Sequence, residues 1–198
     1  MFLNLFRYIK SRDSAQKNTF RHDKKGVAAV EFALIVPILL LLFIGTLEIS
    51  LAVAVDRKVS RISSSVADLI TQSENFNEAG LDQLMDIANR IMHPYDATVK
   101  ISIVAVYIDD DGVAKVEWAH GRNGGAEPAQ GSLFNVPASI KTNDTFLLSA
   151  RVSSDHEPAF AFINFDGSKI TFDDASIELS EQMFLRPRTG SGITCSDC

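Results

Sequence analysis

From Phe32 to Leu47 the chain carries no charged residue, and the apolar stretch widens to Val27–Val55 with only Glu31 and Glu48 interrupting it. A bilayer core takes about 20 apolar residues. This segment therefore predicts one membrane span and leaves the remainder of the chain as a separate folding problem. The charges around it are partitioned. Residues 1–26 hold Arg7, Lys10, Arg12, Lys17, Arg21, Lys24 and Lys25 against Asp13 and Asp23, a net of +5, whereas residues 56–198 hold 12 Lys/Arg and 21 Asp/Glu, a net of −9. Basic residues beside a membrane helix stay in the cytoplasm. The expected arrangement is a single pass with the N-terminus inside and the acidic C-terminal region outside.

An acidic region with no basic stripe, one Trp and three Tyr is not a nucleic-acid binder. The apolar segment itself admits three readings. A plain signal anchor would place Glu31 and Glu48, about 26 Å apart along a helix, near opposite headgroup layers. A secretory signal would use Ala52-Val53-Ala54 for cleavage, but its basic and apolar parts are too long for that class. The third reading takes Gly26 and Glu31 together.

Gly-Val-Ala-Ala-Val-Glu-Phe, from Gly26 to Phe32, resembles the cleavage site of type IV prepilins. The fuller pattern adds Lys24-Lys25 before Gly26, Pro37 six positions after Glu31, and Phe-Ile-Gly-x-x-x-Glu ending at Glu48. It resembles the TadE-like proteins of the Tad/Flp tight-adherence pilus system. The segment Ser176–Arg188, with its closing Arg-Pro-Arg, is similar to that family's last strand, and the length of the chain favours the short TadE or TadF type. The resemblance implies a minor pseudopilin cut after Gly26 by a membrane prepilin peptidase, leaving Val27 as the new N-terminus. It also implies that Glu31 pairs with the freed amine of a neighbouring subunit, with Glu31, Pro37 and Glu48 serving assembly and registry. An intramembrane carboxylate costs about 2.5–3.5 kcal/mol on insertion scales, so a partner accounts for it. The partners so implied are the peptidase, other pilin-like subunits, the Tad assembly machinery and membrane lipid. No cofactor is expected.

Beyond the span, Val59, Ile62, Val66, Leu69 and Ile70 recur at helical spacing, so the helix continues through 56–72. A second helix is expected over 79–92, with Leu81, Leu84, Ala88 and Ile91 on one face and Pro94 ending it. From Ala97 the pattern changes to strands. Val99–Ile108 and Val113–Ala119 flank the turn Asp109-Asp110-Asp111-Gly112 as a hairpin; Thr145–Ser153, Phe160–Phe165 and Ile177–Leu185 supply further strands. Gly121–Gly131 reads as a surface loop. The expected fold class is α+β: a long N-terminal transmembrane helix extending into a strand-rich, pilin-like periplasmic head. Its divisions are a leader at 1–26 that is disordered or removed, the membrane helix at 27–55, a helical region at 56–94, the strand-rich head at 95–190 and a tail at 191–198.

Sites of chemistry are few. Three consecutive aspartates at 109–111 lack the alternate spacing of an EF-hand loop, so they read as a solvated turn and no metal is expected. His22, His93, His120 and His156 are scattered, and His156 cannot aim with its sequence neighbours Asp155 and Glu157 on an extended chain. No enzyme is expected. Ser63-Ser64-Ser65 reads as small polar filling on a helix rather than a modification site. Cys195 and Cys198 form Cys-Ser-Asp-Cys at the end of the chain. In an oxidising compartment they either close a small loop, which is the expectation, or link to a neighbouring chain. The alternative to the pseudopilin reading is an unprocessed, single-pass membrane-anchored binding or sensor domain.

Overall fold

A computed structural model describes residues 26–95, 98–158, 164–166, 169–171 and 176–198. The basic leader with His22, and residues 160–163 of the strand expected at 160–165, lie outside these. By contacts the chain divides into two units, 1–47 and 48–198.

In the first unit helix α1, Val27–Thr71, begins directly after Gly26. It is the only helix among the described residues long and apolar enough to cross a membrane, with a mean hydropathy of 2.8 over its most apolar stretch and none of that stretch buried. Phe32 and Leu34 are 68% and 69% exposed. Apolar surface costs roughly 25 cal/mol per Å² when left in water, and this stretch, apolar on every side, has the length and composition of a membrane span. Pro37 lies inside it, a position that membrane helices tolerate.

The second unit has its own core. The part of α1 in this unit turns a stripe of Val55, Val59, Ile62, Val66 and Ile70 inward, each 3% exposed or less, at the period of a helix packed on one face. Strand β1 is Asn75–Phe76, and helix α2, Glu78–Met92, buries Leu81, Met85, Ala88 and Met92. Asn77 caps α2, its side-chain oxygen accepting from the Gly80 amide at 2.9 Å. Lys58 of α1 closes the other end. Its Nζ donates to the carbonyls of Ile91, Met92 and His93, which a helix otherwise leaves unsatisfied.

Strands β2 (Val99–Ile108), β3 (Ala114–Arg122) and β4 (Thr145–His156) follow, then a small hairpin of β5 (Asn164–Asp166) and β6 (Lys169–Thr171), then β7 (Ile177–Leu185). The main sheet is antiparallel in the order β3-β2-β4-β7. Side chains alternate across it: Ile101, Ile103, Ala105, Leu148, Ala150 and Val152 join the core formed with α1 and α2. Val104, Val106, Ile108, Val116 and Leu147 form a second core on the other face, with Val136, Phe134 and Ile140 supplied from the segment between β3 and β4. A register shift between Ala105 and Val106 places Glu117 as an extra residue in β3. Trp118 therefore falls in the helix-side core and Val116 in the other.

Two expectations are corrected here. Strand β3 runs on through Gly121 and Arg122, because both continue the ladder opposite Ser102 and Ile101. The residues after it, 123–131, are the expected surface loop, within which Gly125 lies so close to β2 that an added Cβ would stand 1.8 Å from the Ile101 carbonyl oxygen. Strand β4 also continues past Ser153 to His156, paired with Ile177–Leu179. The segment after β7 returns across the unit. Arg188 donates its amide to the Thr71 carbonyl at 2.9 Å, and β8, Thr194–Cys195, pairs in parallel with β1.

Candidate functional site

At the start of α1, Gly26 is exposed and an added Cβ would meet nothing within 4 Å. Val27 is the first residue of the helix, and Glu31 lies one turn in, exposed, with no hydrogen bond or ion pair among the described residues. A carboxylate left bare on an apolar helix is suited to a charge from outside the chain. The second glutamate is placed differently. Glu48 is 8% exposed, and its Oε2 lies 3.8 Å from His156 Nε2 at the end of β4. His156 Nε2 is itself buried and makes no hydrogen bond among the described residues.

Several other polar groups serve the fold. Asp109 accepts from the Val113 amide at 2.7 Å and from Lys115 Nζ at 3.0 Å, which holds its carboxyl below the ordinary 3.8 and occupies the oxygens that a cation would use. Its hydrogen bond with Asp155 raises Lys100 above the usual 10.5, at a separation of 2.8 Å. His120, buried on β3, meets Asp82 of α2 at 3.1 Å, and Arg122 reaches Asp86 at 2.7 Å and the Asp82 carbonyl at 2.7 Å, so β3 is bolted to α2. No hydrogen bond joins His120 or His156 to a serine or cysteine among the described residues, so no nucleophile and base are brought together there.

Cys195 and Cys198 are joined as a disulfide with a Cα separation of 5.6 Å. Asp197 lies between them, and the polar atoms of all three fall within 4.8 Å of one another. Sulfurs bonded to each other offer no thiolate, so the group is not a metal site in this state. Asp197 instead accepts from the Glu78 amide at 2.7 Å, at the start of α2. Next to the disulfide lies a cavity of about 500 Å³ that the sequence did not disclose, because Tyr107, Glu117, Trp118 and Phe146 come to it from three strands.

Residues 26–68 match the family model described as TadE-like protein. The chain carries a TadE-like segment. It runs from Gly26 through most of α1 and includes Glu31, Pro37 and Glu48, so the resemblance on those residues stands on an independent comparison. The match ties residues 26–68 to TadE-like proteins, and within it begins the one helix among the described residues long and apolar enough to cross a membrane. Residues 69–198 lie outside the match. No curated protein and no solved structure matches the chain.

Proposed function

We propose that this chain is a minor pseudopilin of the Tad/Flp (type IVb) pilus, anchored in the bacterial inner membrane with its C-terminal unit in the periplasm. A prepilin peptidase cuts it after Gly26, and Val27 becomes its N-terminus. The observation that carries the reading is the coincidence of two boundaries with one exposed carboxylate. The TadE-like match starts at Gly26, helix α1 starts at Val27, and Glu31 stands bare on the apolar helix four residues further on. The new amine gives a neighbouring subunit's Glu31 the positive partner that its own chain lacks among the described residues, and this pairing sets the axial register of packed helices. Pilin-like subunits and the Tad machinery are then its partners, and adhesion and biofilm formation are the processes it supports.

The test is the intact mass and N-terminal sequence of the protein extracted from its native membrane, with and without the cognate peptidase. A chain beginning at Val27 only when the peptidase is present is the expected result. A chain that keeps residues 1–26 in both cases overturns the reading in favour of an unprocessed membrane-anchored binding or sensor domain. For the second half of the reading, Glu31→Ala is expected to insert normally and to abolish piliation; normal pili in that mutant would remove the registry role.

A further inference from the structure

The 500 Å³ cavity beside the disulfide has an unusual lining for a head with a net negative charge. Tyr107, Trp118 and Phe146 give it aromatic walls, Glu117 stands at it, and the disulfide borders it. Among the described residues, no lysine, arginine or histidine lines it. Trp118 donates its Nε1 hydrogen to the Ile193 carbonyl at 2.7 Å, so its side chain has no donor left, and at 7% exposure it borders the cleft with only a small part of its ring. Glu117 is exposed and makes no hydrogen bond or ion pair among the described residues. Negative charge continues around Tyr107. Its hydroxyl lies 3.4 Å from Asp144 Oδ1, and burial, then Asp144, Asp110 and Asp109, push its pKa above the usual 10.0.

Aromatic walls with an unanswered carboxylate are the recognition chemistry of a cation carried on an apolar stem: the ring faces attract the charge and the stem packs between them. The same cleft presents peptide backbone. Gly192 lines it without a side chain, and neither its amide nor its carbonyl is hydrogen-bonded among the described residues. An extended peptide meets such groups, whereas a free small cation leaves them unused. We propose that this cleft receives an arginine or lysine side chain from an extended segment of a protein partner, with Glu117 as its counter-ion and Tyr107, Trp118 and Phe146 as its walls. The inference stands on the C-terminal unit and does not depend on cleavage at Gly26.

Trp118 is the only tryptophan in the chain, so its fluorescence reports on this cleft. The experiment is a titration of the full chain in a non-ionic detergent with the capped peptide Ser-Gly-Arg-Gly-Ser, with its glutamine counterpart, and with guanidinium ion. A saturable change with the arginine peptide is expected, weakening as salt rises and absent with the glutamine peptide. Glu117→Gln, at an exposed position, is expected to keep the unliganded spectrum and to weaken binding about three- to fivefold, the scale of one exposed ion pair. No saturable change, equal binding of the glutamine peptide, or unchanged affinity in Glu117→Gln overturns the proposal. Guanidinium ion binding as tightly as the peptide overturns the assignment to a protein segment.

Discussion

The Ser63 hydroxyl on α1 donates a 3.0 Å hydrogen bond to the Ala150 carbonyl on β4. Both residues are fully buried, so the bond fixes how α1 sits on the centre of the sheet and closes Ser63 to any modifying enzyme. Ser64 is also engaged, donating to the Ser60 and Arg61 carbonyls of its own helix. Ser63→Ala removes the donor and leaves the carbonyl with one partner fewer in a dry core. A loss of about 1–3 kcal/mol is expected. Thermal unfolding of the full chain in detergent, followed by circular dichroism, measures it, and an unchanged melting temperature contradicts the role given to this bond.

Gly125 approaches β2 too closely for any side chain. Because an added methyl would stand 1.8 Å from the Ile101 carbonyl oxygen, Gly125→Ala must push the segment after β3 off the sheet. The expected cost is about 1–3 kcal/mol or more. Gly45→Ala is the control, since its methyl meets nothing within 4 Å. Equal melting temperatures for the two variants would contradict the close packing described for Gly125.

The returning segment after β7 is held by burial more than by its disulfide. Ile193 is 1% exposed, its carbonyl accepts from Trp118, and neighbouring amides of Thr194 and Ser196 donate to Glu74 and Phe76. Ile193→Ala is expected to cost about 2–5 kcal/mol. Closing so short a loop constrains the unfolded chain by no more than about 2 kcal/mol, so the double change of Cys195 and Cys198 to serine is expected to cost less. Comparative unfolding of the two variants decides this, and free-thiol labelling of the unreduced protein tests the pairing itself.

The Asp109 turn sets a pH response. Its carboxyl is held below 3.8 chiefly by the Val113 amide and then by Lys115, so the unfolded chain binds the proton first. The stabilisation is present above the unfolded value and is lost as pH falls through the folded one. Hydrogen-exchange protection of the Val113 amide, corrected for intrinsic rate, is therefore expected to hold near neutrality and to drop below about pH 3.8. Protection that is flat into the acid range would show that the carboxylate does not hold the turn.

The parts of the fold legible in the sequence are those with a clean period. The stripe Val59, Ile62, Val66 and Ile70 marked the last third of α1, and α2 and the β2–β3 hairpin lie within a residue or a few of where alternation and turn residues placed them. Glu117 was opaque because a bulge breaks the alternation on which strand patterns depend, and it sends Trp118 and Val116 to opposite cores. Ser154-Asp155-His156 have poor strand propensity, and only their pairing with Ile177–Leu179 keeps them in β4. Ile193 sits alone among Gly, Ser, Thr and Cys, so no pattern marked it as a core residue. At the candidate site, Gly26 and Glu31 were visible as a local motif, whereas the cleft at Glu117 is assembled from distant strands that no spacing rule connects.

Helix α1 does not stop at the boundary of the C-terminal unit; its last third is part of that unit's core. The buried stripe from Val55 to Ile70, the Ser63 bond to β4 and the grip of Lys58 on the end of α2 make it a structural member of that unit, so removing it would strip the helix-side core of its cover.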